Sequence, residues 1–352
     1  MFRPIPFTEE EMIIRGESPS FMGPPMKVRN TPVSPRENMS ALYYEKKPFW
    51  IPMPGELKRL IPQLYNDNLG RGGAEDTTDV FGLVWEYVEV TGGSIVHPGR
   101  PLLDDANNWR GVIHLPDIDS WDWAAEAAKD RGDLMYPIEM SFINGFWFER
   151  LISFMDFIPA AMALIDDEQT DAVKDLFAAM TDLGCRLVDK FCEYFPAIDS
   201  FNVHDDWGAQ KAPFFSQDVA YELFVPFMKQ ITDHIHSKGR IATLHSCGHN
   251  EDRIQCYIDG GFDQWQPQTM NDIHSLYENY GDKIVFSVWP DEFDFENSTE
   301  EEQREAARRF VETYTQPGKP VLFNEGPMRG RITQAFTDEV YRHSRKIYAE
   351  RG

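Results

Sequence analysis

Two residues with metal-binding side chains, His245 and Cys247, stand two positions apart in the chain. In an extended backbone, residues two apart project to the same side of a strand, so an imidazole and a thiolate would face the same space. Zinc takes nitrogen and sulfur ligands of this kind. A buried neutral histidine beside a buried thiol, or a nucleophilic cysteine, would show the same spacing. The pair therefore predicts half of a metal site that needs a third ligand.

Three residues are candidates for that third ligand. We favour Glu325, because it follows another apolar run and because a carboxylate is an acceptable zinc ligand. Cys256 lies one predicted helix beyond the pair, where its side chain would face away. His249 is expected to lie beside a helix cap, with an outer-shell role at the metal as the alternative. Cys185 and Cys192 stand seven apart on one predicted helix and are expected to be core contacts.

Acidic residues follow a second apolar run, where the sequence reads His204, Asp205, Asp206. Neighbouring residues of an extended segment face opposite ways, so at most one aspartate points into a site. Such an aspartate could be a general acid or substrate anchor, or it could complement the dipole at a helix start. All three are candidate catalytic residues. The candidate substrate-binding residues are Trp207, Trp85, Asn144, Phe148 and Gln268.

From about residue 137 onward, apolar runs alternate with amphipathic stretches of helix length, which is typical of successive βα units. The predicted strands are 138–142, 199–203, 241–244, 262–266, 284–288 and 321–323. The predicted helices lie near 148–158, 169–194, 217–237, 251–259, 271–280, 298–314 and 336–349. The repetition favours an α/β fold, a (β/α)8 TIM barrel whose chemistry lies at the strand ends. A flat doubly wound sheet is disfavoured, because no glycine-rich phosphate turn follows any strand.

The barrel is predicted to span 34–352, preceded by an N-terminal arm at 1–33 that is rich in proline, methionine and glycine. Its first helix should begin at Ser34, where Glu37 can return the capping bond, and continue through about Tyr44. The region 48–123 mixes short aromatic runs with turns, which indicates a cap of short strands or hairpins.

The charge of the chain limits its partners. With 34 Lys and Arg against 58 Asp and Glu, the net charge is −24, which repels nucleic acid and anionic lipid surfaces. No apolar run of membrane-spanning length and no secretion signal is present, so we expect a cytoplasmic protein. The negative electrostatic field of such a chain suits a small neutral substrate. Four cysteines in a chain of this length do not make a disulfide framework.

Four motifs, together with the order of the βα units from about residue 30 onward, resemble the uroporphyrinogen decarboxylase-like superfamily. They are Ser-Pro-Arg-Glu-Asn at 34–38, Pro-Asp-Ile-Asp-Ser-Trp-Asp-Trp at 116–123, His-Asp-Asp-Trp-Gly at 204–208 and Leu-His-Ser-Cys-Gly at 244–248. Members share a (β/α)8 barrel. The zinc-dependent methyltransferase branch uses a His-x-Cys pair, which His245 and Cys247 match, and a further cysteine downstream. This chain has Glu325 in the corresponding region.

The resemblance implies a methyltransferase that moves a methyl group between a small substrate and a corrinoid on a partner protein. The substrate would be a thiol or a methoxylated aromatic compound undergoing O-demethylation, with zinc as the Lewis acid. One alternative is a metal-independent decarboxylase that uses Asp205 or Asp206 with His204. Another is a non-catalytic ligand-binding barrel. The sequence leaves open the methyl donor, the acceptor and whether the arm supports a homodimer.

Overall fold

The computed structural model describes residues 4–18, 26–64, 77–88, 93–129, 132–326 and 330–351. Strands and helices alternate along most of this part of the chain, which confirms the α/β class. The strands are β1 Ile14–Ser18, β2 Met26–Arg29, β3 Lys58–Leu60, β4 Thr77–Thr78, β5 Val84–Val88, β6 Gly93–Val96, β7 Ile138–Asn144, β8 Ser200–His204, β9 Ile241–His245, β10 Gln264–Gln266, β11 Val285–Val288 and β12 Val321–Phe323.

Most helices follow the predicted positions. They are α1 Pro35–Ser40, α2 Trp109–Val112, α3 Trp123–Lys129, α4 Phe148–Met155, α5 Phe157–Ala163, α6 Thr170–Tyr194, α7 Gln217–Leu223, α8 Val225–Ser237, α9 Ile254–Asp259, α10 Ile273–Tyr280, α11 Glu300–Tyr314 and α12 Gln334–Arg351. Short 3-10 turns cover Glu9–Met12, Ala106–Asn108, Ile118–Ser120 and Glu251–Arg253, and a π-helical turn covers Ala41–Glu45. Among the described residues, no helix is both long and apolar enough to cross a membrane.

The main sheet has seven strands among the described residues, in the order β12-β11-β10-β9-β8-β7-β3. The pairs β8–β9, β10–β11 and β11–β12 are parallel. All six predicted strands are present, with bounds within two residues of the prediction. Among the described residues this sheet shows neither an eighth strand nor closure into a barrel, so the (β/α)8 barrel stays a prediction.

The chain divides into two compact units. The first unit comprises Met1–Arg59, Gly132–Glu139 and Asp263–Gly352, and the second comprises Leu60–Arg131 and Met140–Phe262. The first unit buries an aromatic cluster in which Phe310 packs against Phe323 and Phe336. In the second unit, Phe201 packs edge-on against Phe142 of β7. The predicted boundary between residues 33 and 34 stays a prediction.

Two helices predicted as continuous are each broken in two. The predicted 148–158 helix breaks at Asp156, whose φ of 66° lies in the left-handed region. The predicted 217–237 helix breaks at Phe224, just before Pro226 in the first turn of α8. Proline has no backbone N–H and fits only the first turn of a helix, so it favours a new helix start here.

The N-terminal residues are not only an extended arm. Strands β1 and β2 pair as an antiparallel hairpin, and the turn Glu9–Met12 precedes them. The buried Glu11 carboxylate accepts from Arg345 Nε at 2.7 Å, from Arg345 Nη2 at 2.9 Å and from the Tyr341 hydroxyl at 2.8 Å. Both partners lie on α12, so buried charge-assisted bonds join this turn to the C-terminal helix of the same unit.

The predicted cap region contains short strands, as expected. Strands β4, β5 and β6 form an antiparallel sheet. Between β4 and β5, the buried Asp79 carboxylate accepts from Arg150 Nη1 at 2.8 Å and from the Trp85 indole at 2.9 Å. The Arg150 guanidinium also lies 4.7 Å from the centre of the Phe81 ring. These contacts place Trp85 within a buried ion-pair cluster.

The capping box predicted at Ser34 is present. The Ser34 hydroxyl accepts the N–H of Glu37 at 3.1 Å, and the Glu37 carboxylate accepts the N–H of Ser34 at 2.8 Å. Replacing Ser34 with alanine is expected to lower the free energy of unfolding by about 1 kcal/mol, because one N–H at the helix start loses its acceptor. Urea unfolding would measure this, with Ser34→Thr as the control that keeps the hydroxyl. A Ser34→Ala protein as stable as the threonine variant would contradict the capping role.

Candidate metal centre

Strand pairing brings two histidines side by side. In the parallel register of β8 and β9, His204 is paired with His245. Because paired residues of neighbouring strands project to the same face, their rings stack, with centroids 4.7 Å apart and an interplanar angle of 15°. Both strands end at these residues, so the two imidazoles lie at the carboxyl ends of the strands. This is where parallel α/β proteins place their sites.

Four side chains with metal-binding atoms meet here. His204, Asp206 and His245 each offer one ligand atom, and these three atoms lie within 4.8 Å of one another. They form a group of potential metal ligands in the described part of the chain. The Cys247 sulfur lies 3.1 Å from His245 Nε2, and the Cys247 N–H donates to the Asp206 carboxylate at 2.6 Å. All four residues are half-buried. Two imidazoles, a carboxylate and a thiol form a donor set that fits zinc.

Glu149, in the first turn of α4, connects to this cluster. Its Oε2 lies 2.7 Å from His204 Nδ1 and accepts the N–H of Asp206 at 3.0 Å. Burial lowers the pKa of His204, but the carboxylates of Glu149, Asp206 and Asp205 outweigh burial and raise this pKa to about 9. Since an imidazole must give up a proton to bind a metal, metal and proton compete at His204 Nε2.

Asp205 faces away from this cluster, into the start of α4. Its carboxylate accepts four consecutive backbone N–H groups and the indole N–H of Trp207 at 2.8 Å. The four backbone donors are Phe146, Trp147, Phe148 and Glu149, at 3.2, 2.9, 3.1 and 3.2 Å. Burial, followed by the charge of Glu149, raises the pKa of Asp205 to about 7 despite these donors. The expectation that Asp205 and Asp206 face different surroundings is confirmed. Asp205 supports a helix start, and Asp206 faces the cluster.

A close contact of two glycines fixes the loop that carries Cys247. Gly248 has a φ of 101°, and a Cβ there would lie 2.2 Å from the carbonyl oxygen of Gly208. Next to this contact, the N–H of His249 donates to the carbonyl oxygen of Ala209 at 2.9 Å. The loops after β8 and β9 are therefore packed backbone to backbone, which requires glycine at position 248.

The buried loop residues also hold Cys247. The Asn250 side-chain amide donates to the Cys247 carbonyl oxygen at 2.6 Å and to the Ser246 hydroxyl at 3.3 Å. The Tyr257 hydroxyl donates to the same Ser246 oxygen at 3.1 Å. Ser246, between the two predicted ligands, thus belongs to the support of the loop.

The predicted substrate-binding residues lie in different surroundings. Trp85, Phe148 and Trp207 are buried, and Phe148 and Trp207 both pack against Phe215 and Phe224. Asn144 is half-buried, and its carbonyl oxygen accepts from Arg150 at 2.6 Å. Gln268 belongs to the first unit and is half-buried. Their binding of a substrate stays a prediction.

The predicted metal ligands divide between the two units. His245 and Cys247 lie in the second unit, whereas the half-buried Glu325 follows β12 in the first. Its role as third ligand stays a prediction. Of the other candidates, Cys256 is buried, and burial raises the pKa of its thiol to about 11, while the His249 ring lies 3.4 Å from Glu251. Cys185 and Cys192 are half-buried on α6.

Glu149 was not among the residues predicted for the site from the sequence. It lies in the first turn of α4, the helix that follows β7, whereas Asp205 and Asp206 come directly after β8. A carboxylate in a first helical turn usually complements the helix dipole, so its type alone does not distinguish it. A comparison of the residues that follow each predicted strand, including strand 138–142, would have included Glu149.

Comparisons with known proteins concern the fold. The chain is similar to the solved structure of a methyltransferase from Methanosarcina mazei, with a TM-score of 0.53 and 14% sequence identity over 84% of this chain and 81% of that one. A zinc-binding structure of the IolI protein is more distant, with a TM-score of 0.32 and 12% identity over 66% of this chain and 79% of that one, and supports no inference. No protein-family model and no curated protein sequence matches the chain. At this level of identity the similarity is one of fold, which the chain shares with the Methanosarcina methyltransferase.

Proposed function

We propose that this chain is a zinc-dependent methyltransferase that moves a methyl group between a small molecule and a corrinoid carried by a partner protein. The observation that carries the proposal is the convergence of His204, Asp206, His245 and Cys247 at the ends of β8 and β9. The motifs of the sequence and the fold shared with a methyltransferase support the same class of reaction. The acidic chain suits a neutral substrate, either a thiol or a methoxylated aromatic compound.

Each residue of the cluster has a part in this proposal. His245 and Cys247 would hold the metal, and His204 or Asp206 would supply a third ligand from β8 or the loop after it, which leaves the fourth position of a tetrahedral zinc for the substrate. When bound, zinc supplies Lewis acidity to a thiol sulfur or to the ether oxygen of a methoxy group. Asp206 also accepts the N–H of Cys247, so it fixes the backbone that carries the thiolate. The role of Glu325 as a ligand stays a prediction from the sequence.

Metal content is the direct test of the site. The protein purified from zinc-supplemented cells is expected to contain about one zinc ion per chain. His245→Ala and Cys247→Ser should each weaken zinc binding at least tenfold, or about 1.4 kcal/mol of binding free energy, and so lower the zinc content. Cys185→Ser is the matched control. Cys185 lies on α6, outside the cluster, so this variant is expected to keep the zinc content of the wild type. A zinc-free wild type, or full zinc content in both site variants, would contradict the proposal.

Methyl transfer is the test of the reaction. With methylcobalamin and a small alkyl thiol, the methyl group bonds to sulfur as the carbon–cobalt bond breaks, and the electron pair of that bond stays with cobalt. The expected result is thioether formation that needs zinc and is lost in Cys247→Ser. The same preparation should leave uroporphyrinogen unchanged. Decarboxylation by the zinc-depleted protein would instead establish the metal-independent alternative.

A further inference from the structure

Glu149 makes the contact that determines how His204 presents its ring. The carboxylate lies 2.7 Å from His204 Nδ1, so it accepts a proton carried by that nitrogen. The other ring nitrogen, Nε2, then faces Asp206 at 3.9 Å. The same Glu149 oxygen accepts the backbone N–H of Asp206 at 3.0 Å. One carboxylate oxygen thus contacts both residues that β8 and its following loop contribute to the cluster.

The position of Glu149 is itself fixed from two sides. On one side, the Asp205 carboxylate accepts the N–H of Glu149 along with the three preceding ones. On the other side, the buried Arg150 donates to the carbonyl oxygens of Asn144 and Gly145, at 2.6 and 3.1 Å. Gly145 has a φ of 70°, and a Cβ there would lie 2.8 Å from the Cβ of Glu149. The first turn of α4 therefore has little freedom to move.

We propose that Glu149 is a positioning residue of the metal centre, which keeps the proton of His204 on Nδ1 and directs Nε2 toward the metal. The inference rests on the metal centre of the proposed function. Carboxylates that accept the outer N–H of a metal-binding histidine fix its tautomer and orientation, and their removal typically weakens metal binding by about 10–100-fold. Glu149 acts through His204 and the backbone of Asp206, and it contributes no ligand atom.

Titration of the metal-depleted protein with Co²⁺, followed by its thiolate-to-metal absorption band, measures this role. Glu149→Ala is expected to weaken binding by about 10–100-fold, because His204 loses its acceptor. Glu149→Gln keeps an acceptor oxygen and should retain binding to within about tenfold of wild type. Glu222→Ala is the matched control: it removes an exposed carboxylate that lies 2.8 Å from Lys174, and binding should not change. Wild-type affinity in Glu149→Ala would overturn the proposal.

A second measurement does not depend on metal. In the metal-free protein, the Nδ1–H of His204 should give an exchange-protected proton resonance in the nuclear magnetic resonance spectrum, assigned by its loss in His204→Gln. We expect the resonance in wild type and in Glu149→Gln, and we expect Glu149→Ala to lose it. If wild type binds no Co²⁺, the proposed function fails, and this resonance still decides the contact. If Glu149→Ala keeps the resonance, the role of Glu149 is refuted whether or not metal binds.

Discussion

Replacing Asp205 with alanine is expected to lower the free energy of unfolding by about 3–5 kcal/mol, a large effect for one substitution. The variant would leave the N–H groups of Trp147, Phe148 and Glu149 and the Trp207 indole without their acceptor. Each buried donor without a partner costs about 1–3 kcal/mol. Because the loop can relax, the loss of stability is smaller than the sum of these separate costs. Urea unfolding monitored by tryptophan fluorescence and circular dichroism would measure the loss.

The neighbouring aspartate is the control for that variant. Asp206 is half-buried, and the contacts its carboxylate makes are with Cys247 and His204. Asp206→Ala is therefore expected to cost less than about 1.5 kcal/mol of stability while reducing zinc content. Asp205→Asn keeps one acceptor oxygen and should fall between wild type and Asp205→Ala. Equal stability losses in Asp205→Ala and Asp206→Ala would contradict the division of roles between the two residues.

Replacing Gly248 with alanine is expected to lower stability by about 2–4 kcal/mol and to reduce zinc affinity at least tenfold. The new Cβ would lie 2.2 Å from the Gly208 carbonyl oxygen and 2.4 Å from its Cα. Both are backbone atoms, so no side-chain rotation relieves the clash, and the loop carrying Cys247 must move. Unfolding curves and zinc content together would record the two effects.

A second glycine separates the clash from backbone strain. Gly239 has a φ of 68°, also in the left-handed region, but a Cβ there meets nothing within 4 Å. Gly239→Ala should therefore cost only the conformational penalty of about 1–2 kcal/mol and leave zinc bound. If Gly248→Ala behaves like Gly239→Ala, the contact between the two loops does not hold the metal site.

The sequence predicted the strands well because each is an apolar run with turn residues at its ends, a signal that is local. It did not predict the two helix breaks. At the first break, Asp156 takes a positive φ, which cannot be inferred from an aspartate in the sequence. Pro226 was a readable local signal for the other break. Thus local patterns gave the order of elements, and departures from regular geometry were missed.

The candidate site, too, has features that the sequence predicted and features that it did not. The spacing of His245 and Cys247 and the acids after β8 were visible in the sequence. Which aspartate faces the cluster could not be decided, because it depends on the start of α4, more than fifty residues earlier in the chain. The stacking of His204 on His245 depends on strand register, and the contact of Gly208 with Gly248 on the packing of two loops. These relations arise only when the strands pair.

The bond between Glu11 and Arg345 sets an order of events during synthesis. Glu11 is made 334 residues before Arg345, and the arginine and tyrosine side chains that bond its buried carboxylate both belong to α12. Until Arg345 has been made, this carboxylate has no arginine to accompany it into a buried position, and burying it alone would be strongly unfavourable. The turn at Glu9–Met12 is therefore expected to stay in water until α12 is available. Its packing joins two segments of the first unit that are synthesised far apart in time.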